Sequence, residues 1–405
     1  MMEEEIIDRP DYMEKIAPYV GQPLIKILTG QRRVGKSYIL RQLMAQIDRR
    51  ESVQANIVYI NKELKEYDNI ITDNDLYQFI TAKCEQGKKN YVFIDEIQEI
   101  PEFQNTLRSL LAENRCDLFC TGSNATMLSG ELATRLAGRY MEFPVHSLSY
   151  CEFLNFHSLQ PDNQSLSRYM RIGGMPYLKN LSASDEMCFE YLRNLYSTIL
   201  LKDVIARKQI RNVEFLERLV QFLSDNVGNL FSASNISKYL KSQRQQLPTQ
   251  LVLDYSQALM QSYFIHKVQR MDIKGLRVFE IGEKYYFEDL GIRNAIHGFD
   301  PLTEIQKWLE NIVYMHLLRC GYTVYTGNID TLEIDFVGQK LTERIYVQVS
   351  YQIDSQETRE REVASLLKTG DNFSKYIVTM DDFVTGATAA GIQIVHLKDF
   401  LINKV

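Results

Sequence analysis

The stretch Ile25–Ser37, IKILTGQRRVGKS, decides how this chain folds. Its first five residues, Ile25–Thr29, are a short, mostly apolar run of the kind that builds a buried strand. Gly30–Ser37, GQRRVGKS, then matches G-x-x-x-x-G-K-[ST], and the SYILRQLMAQI that follows carries helical periodicity. A loop between a strand and a helix N-terminus can curl on its glycines until successive N–H groups face an anion, and the helix dipole adds to the attraction. The expected cradle is Gly30, Gln31, Arg32, Arg33, Val34, Gly35, Lys36, Ser37 and Tyr38. Within it Lys36 reaches the β- and γ-phosphates of ATP, and Ser37 coordinates Mg²⁺. A glycine turn beside a surface lysine would share the letters, but not the strand before and the helix after.

Further strands follow at Asn56–Ile60 (NIVYI), Tyr91–Ile94 (YVFI), Asp117–Thr121 (DLFCT) and Tyr140–Val145 (YMEFPV), with amphipathic helical stretches between them. That alternation predicts an α/β domain whose parallel sheet is covered on both faces. YVFIDE ends in two acids. Asp95, the first, is placed to help hold Mg²⁺, and Glu96 to orient and polarise an attacking water. Hydrolysis of ATP is therefore expected rather than storage alone. DLFCTGSN sets Ser123 and Asn124 at the next strand tip, where one of them senses the γ-phosphate or simply caps a helix. In ELATRLAGR, Arg135 and Arg139 share one helical face. Either would stabilise transition-state charge if brought to the phosphates, from its own subunit or a neighbour's; otherwise it is a solvated helix residue.

Composition bounds the rest. A chain of 405 residues exceeds one core, so about two to four domains are expected. With 45% hydrophobic and 24% charged residues it is neither disordered nor collagen-like. A net charge of −6 excludes a polycation that coats nucleic acid, while local basic patches remain open. The start MMEEEIIDRP lacks the positive, apolar pattern of a signal peptide, and no apolar run approaches the roughly 18 residues of a membrane helix. A cytoplasmic protein with reduced cysteines is expected. Cys84, Cys116, Cys120, Cys151, Cys188 and Cys320 form no C-x-x-C pair, and the six histidines show no metal-ligand spacing.

Taken together, IKILTGQRRVGKSYILRQL, VFIDEIQEIPEFQNTLRSLL, CTGSNATMLSGELATRLAGRY and FPVHSLSYCEFL resemble a widespread prokaryotic family of AAA-type ATPases related to the archaeal, STAND-like clade. The resemblance is strong over residues 20–155 and weaker beyond. It implies an ASCE/AAA-type P-loop NTPase core with Lys36, Ser37, Asp95 and Glu96 in the roles above. It favours Ser123 as sensor and Arg135 or Arg139 as the phosphate-facing arginine. Such chains usually continue into a winged helix and a restriction-endonuclease-like domain. The expected organisation is an ATPase domain over 1–165, a helical connector or lid over 166–210, a winged helix over 211–295 and a nuclease-like α/β domain over 300–405.

The residues of these later regions bear on that expectation directly. FLERLVQFLSDNVG, SASNISKYLK (capped by Ser232 or Ser234) and PTQLVLDYSQALMQSYF read as helices, followed by the strands IHKVQRM and RVFEI, the order of a winged helix. Arg207–Glu280 holds 11 basic and 6 acidic residues, a local excess that points to DNA or to a protein partner. Oligomerisation stays open. In the last region Glu310 lies on a helix and Asp335 on the strand LEIDFVG, as in Mg²⁺-dependent nucleases. The next strand reads Val347-Gln348-Val349-Ser350-Tyr351, so Gln348 and Ser350 stand where a carboxylate and a lysine are needed, and the site reads as degenerate. The leading expectation is an ATPase whose nucleotide state rearranges its later domains on a partner. The alternatives are a nucleotide-gated switch with negligible turnover and a metal-dependent nuclease.

Overall fold

A computed structural model describes residues 7–51, 54–125, 136, 138–181, 184–242, 248–275, 277–279, 282–353, 356–388 and 390–403. The chain divides into two compact units, Met1–His146 with Gln261–Tyr263, and Ser147–Met260 with Phe264–Val405.

In the first unit, helix α1 (Pro10–Ile16) precedes strand β1 (Ile25–Thr29) and helix α2 (Lys36–Glu51). Then come β2 (Ala55–Asn61), α3 (Asp73–Lys83), β3 (Lys89–Asp95), α4 (Phe103–Ala112), β4 (Asp117–Gly122) and β5 (Tyr140–Pro144). The strands lie in the order β2-β3-β4-β1-β5, all parallel, as the alternation of the sequence predicts. Parallel strands send their C-terminal ends to one edge, so the loops after β1, β3 and β4 meet there. Every residue of β1 is buried, because helices cover both faces of the sheet. The core on one face includes Ile27, Ile60 and Val92, packed with Leu76 and Ile80 of α3 and Leu107 and Leu110 of α4. A reciprocal Thr72–Asp75 capping box starts α3. One polar group breaks the pattern: Lys26 of β1 is buried, pairs with Asp117 and lies 4.7 Å above the Phe119 ring. Phe93 and Phe119 stack beside it at 4.6 Å.

The second unit begins with α5 (Tyr150–His157), α6 (Asn163–Ile172) and α7 (Asp185–Thr198), which runs on as a π-helix over Ile199–Ala206. Helices α8 (Val213–Asp225), α9 (Ala233–Ser242) and α10 (Thr249–Gln261) follow. Ser232 caps α9 through the Asn235 N–H at 3.3 Å. Next come β6 (Ile265–Val268), β7 (Arg270–Asp272), β8 (Arg277–Val278), β9 (Lys284–Phe287), α11 (Leu290–His297) and α12 (Pro301–Arg319). The chain continues through β10 (Thr323–Ile329), β11 (Leu332–Lys340), β12 (Glu343–Ser350), α13 (Gln356–Leu367), β13 (Ser374–Thr379), β14 (Gly386–Ala387), β15 (Gln393–His396) and α14 (Leu397–Ile402). An eight-stranded sheet runs β14-β15-β13-β12-β11-β10-β7-β8.

IHKVQRM, read from the sequence as one strand, is two. Ile265–Val268 pairs antiparallel with β9, whereas Arg270–Asp272 turns away to pair with β8 and, in parallel, with β10. The Thr326 N–H takes the Gln269 carbonyl at the break, which commits the chain to the second sheet. Sequence on both sides of residue 300 therefore shares one sheet. Helix α11 ties the helical part together: Asn294 donates to the carbonyls of Met170 and Arg171 at 3.0 and 2.9 Å. Fully buried Arg293 grips Glu304 through two bonds of 2.9 and 2.7 Å and the Ser224 carbonyl at 2.7 Å. A buried arginine needs such complete pairing, since an unpaired one costs several kcal/mol.

Candidate functional site

The loop after β1 is shaped by close approach. At Gly30 φ is +144°, and an added Cβ would lie 2.1 Å from the Val145 carbonyl oxygen, so no larger residue fits. Gly35 takes φ +100° where the chain turns into α2. The Lys36 ammonium is folded inside the loop and donates to the carbonyls of Gly30 and Gln31, each at 2.9 Å. Gln31 and Val34 are buried, Arg33 and Tyr38 exposed, and Ser37 partly exposed in the first turn of α2. Arg32 pairs with Glu63 at 3.0 Å.

Residues outside the motif brace this loop. Arg9, 2% exposed, donates to the carbonyls of Val34 at 2.8 Å and His146 at 3.0 Å. Gln42 of α2 accepts from the Arg9 backbone N–H at 3.3 Å and donates to the Ile7 carbonyl at 2.8 Å. Sequence reading passed over both residues. The signal available was an arginine and a proline ahead of an amphipathic helix, which does not by itself point at the loop.

The tips of β3 and β4 meet at the same edge. Asp95 is buried and accepts hydrogen bonds from the Thr121 hydroxyl and, at 3.2 Å, from the Tyr59 hydroxyl. Thr121 also accepts the Glu96 N–H at 2.9 Å, so one side chain orients both acids. Tyr59, Thr121 and Gln98 were not singled out from the sequence; Thr121 is the small polar residue that a strand tip beside two carboxylates requires. Glu96 adopts a left-handed conformation at φ +56°, which swings its side chain off the line of the strand. Its carboxylate accepts from Gln98 and lies 3.3 Å from the Ser123 hydroxyl. Burial pushes the Glu96 carboxyl upward, but Lys36 and Arg32 outweigh that and hold it below its ordinary value. Glu96 is thus an ionised carboxylate facing the lysine of the loop. Ser37 and Asp95 supply the hard oxygen donors that Mg²⁺ takes, so the residues present fit that ion.

Lys36, Asp95, Glu96 and Ser123 are thus gathered on one edge. Asn124 is buried just beyond Ser123. Arg139 is not brought to that edge: it is exposed, and its carbonyl accepts from the Ile25 N–H at 3.0 Å, at the opposite end of β1. Arg135 lies outside the described residues.

A second polar centre is buried in the other unit. Lys284 of β9 is 5% exposed and pairs with Glu333 at 2.7 Å. It also faces Glu310 and Asp335, whose attraction outweighs burial and raises its pKa. Glu310 accepts from the Tyr286 hydroxyl at 3.1 Å and from Gln306 at 3.3 Å. Asp335 accepts the Val349 N–H at 2.8 Å, and its own N–H reaches the Gln348 amide oxygen at 3.4 Å. Burial pushes the Asp335 carboxyl well up, with Glu310 adding to it and Lys284 opposing. Ser350 turns to the Gln352 carbonyl at 3.1 Å instead. No helix among the described residues is long and apolar enough to cross a membrane.

Residues 22–154 match an AAA domain family, and residues 163–303 match a domain family of unknown function. Over 409 aligned residues the chain is 33% identical to an uncharacterised protein of Haemophilus influenzae, covering 99% of this chain and 100% of that one. It is 25% identical to an uncharacterised protein of Methanocaldococcus jannaschii, covering 94% and 89%. Among solved structures it is similar to the Aeropyrum pernix ORC1 protein, determined in complex with DNA. That likeness has a TM-score of 0.34 at 11% identity, over 73% of this chain and 94% of that one.

Proposed function

We propose that this chain, which belongs to a family of proteins built on an AAA-type P-loop domain, binds ATP with Mg²⁺ and hydrolyses it to ADP and phosphate. The observation that carries the reading is the meeting of Lys36, Asp95 and Glu96 at one sheet edge, with Glu96 ionised and hydrogen-bonded across to β4. Mg²⁺ held by Ser37 and Asp95 would neutralise charge on the β- and γ-phosphate oxygens. Lys36 exchanges the carbonyls of Gly30 and Gln31 for phosphate oxygens. Glu96 accepts a hydrogen bond from the attacking water and orients it, and Ser123 reports the γ-phosphate to that carboxylate. Thr121 keeps the two acids in separate roles by donating to one side chain while accepting the backbone N–H of the other.

The basic stretch Arg207–Glu280 is the proposed partner surface, duplex DNA or protein, and nucleotide state is proposed to set its placement. Phosphate release with ATP and Mg²⁺ tests the central reading. Turnover should be lost in Lys36→Ala and in Glu96→Gln, with Glu96→Gln still binding ATP. ATP held tightly by the wild-type protein without phosphate release would favour the switch instead. Turnover that rises with duplex DNA, and loses the rise at higher salt, would identify the partner as DNA.

A further inference from the structure

Arg139 stands at the far end of β1, yet another arginine reaches the edge where phosphates would lie. Arg32 belongs to the loop after β1 and pairs at 3.0 Å with Glu63, in the loop after β2. These two strands are not neighbours. The order β2-β3-β4-β1 sets β3 and β4 between them, so their tips stand about 14 Å apart at ordinary strand spacing. Parallel strands deliver both loops to one edge. The pair therefore closes across the tips of β4 and β3, which carry Thr121, Ser123, Asp95 and Glu96.

Both ends of this strap are anchored. Gly30 is pressed against the Val145 carbonyl, Gly30 and buried Gln31 give their carbonyls to Lys36, and Arg9 holds the carbonyl of Val34. On the other side the Lys62 N–H bonds the Asp95 carbonyl at 3.2 Å, and the Glu63 N–H bonds the Asn61 side chain at 2.9 Å. The Arg32 side chain is 11% exposed and that of Glu63 48%. Arg32 also joins Lys36 in holding the Glu96 carboxyl below its ordinary value. An ion pair with a half-exposed carboxylate contributes little to stability, so a triphosphate, with its greater charge, displaces it readily. A guanidinium is always charged and presents a planar fork of donors that suits phosphate oxygens.

We propose that Arg32 is a catalytic residue acting within its own subunit: on ATP binding it leaves Glu63 for the γ-phosphate and stabilises the charge that develops there during hydrolysis. The inference rests on the ATPase reading above and adds to it a residue and a resting state. The water oxygen oriented by Glu96 bonds to the γ-phosphorus as the bond to the β–γ bridging oxygen breaks. ADP leaves with that electron pair, and the proton given up by water ends on the released phosphate. Arg32 faces the γ-phosphate oxygens on which negative charge gathers. Glu63 is the resting partner that keeps the arginine over the acids when no nucleotide is bound.

The test compares the full wild-type chain with Arg32→Ala and Glu63→Gln, in the presence of Mg²⁺. Calorimetry reads the affinity for ADP alone and for ADP with aluminium fluoride, which mimics the phosphoryl group in transfer. Arg32→Ala should bind ADP within about twofold of wild type. It should lose at least about 10²-fold in affinity for the aluminium fluoride complex and about 10³-fold in kcat. Free guanidinium ion should restore part of the turnover of Arg32→Ala and none of that of Lys36→Ala, which separates a missing cation from a damaged loop. Glu63→Gln moves the other way, with ATP affinity raised about threefold because the resting partner no longer competes. Arg32→Ala equal to wild type in both turnover and aluminium fluoride affinity overturns the role of Arg32 and leaves the ATPase reading standing. Wild-type protein that takes up neither ADP nor ATP overturns both. ATP affinity lowered by Glu63→Gln overturns the exchange of partners.

Discussion

Each unit buries a lysine among carboxylates, and the two centres are put together in opposite ways. Around Lys36 two partners are local, the carbonyls of Gly30 and Gln31 in the loop itself, while Glu96 comes from the tip of β3, beyond β4. Around Lys284 every partner is distant, with Glu310 on α12 and Glu333 and Asp335 on β11. The first arrangement is specified by short motifs acting through a strand tip. The second is specified by tertiary packing, through the Asn311 clamp and the switch of the chain from one sheet to another after Val268. Damage to the first centre should therefore stop chemistry and leave folding alone, while damage to the support of the second should cost stability.

The largest effect expected is on turnover. Lys36→Ala should lower phosphate release by about 10²–10³-fold while leaving the urea midpoint within experimental scatter; a collapsed midpoint would erase the contrast between the centres. Acid should act on the second unit. Burial, reinforced by Arg319, holds the His316 imidazole down at about 4. A depressed histidine contributes stability above its unfolded value near 6.5, and that contribution is lost as pH falls from there through 4. Burial holds Asp289 up at about 6, which acts in the reverse sense, so the comparison should be made between wild type and His316→Gln. Their difference should shrink by about 3 kcal/mol between pH 7 and pH 4, and equal pH profiles in denaturant titrations would refute the assignment. Asn311→Ala leaves both backbone groups of Phe287 without partners and should cost about 2 kcal/mol, seen as a lower midpoint with ATP affinity intact. Smallest is Thr72→Ala, which removes a cap in the first unit for about 1 kcal/mol, seen as a small drop in the urea midpoint with phosphate release unchanged.

Legibility in the sequence followed the range of the interactions. β1 was readable to the residue because IKILT is a fully buried strand bounded by a motif glycine. The parallel sheet follows from βα alternation, whereas the strand order β2-β3-β4-β1-β5, which sets the tips of β3 and β4 near the β1 loop, does not. Thr121 and Tyr59 escaped, because a threonine or a tyrosine in an apolar strand carries no mark of the face it presents. β9 escaped for a related reason: Lys284–Phe287, KYYF, is buried at all four positions and shows no alternation. The split of IHKVQRM depends on a partner strand fifty residues on, which local pattern does not encode. Arg139 looked equal to Arg135 on helical spacing, but Arg139 forms the entry to β5 rather than a helix turn.

The sheet-crossing strand pair has a consequence for heredity. A recombination joint placed near residue 300 falls at a helix cap and looks harmless in an alignment. A tail exchanged there would leave behind β7 and the edge strand β8 along with Lys284 and Tyr286. Descendants of such a swap would inherit an unfinished sheet, so this part of the gene should travel through lineages in one piece.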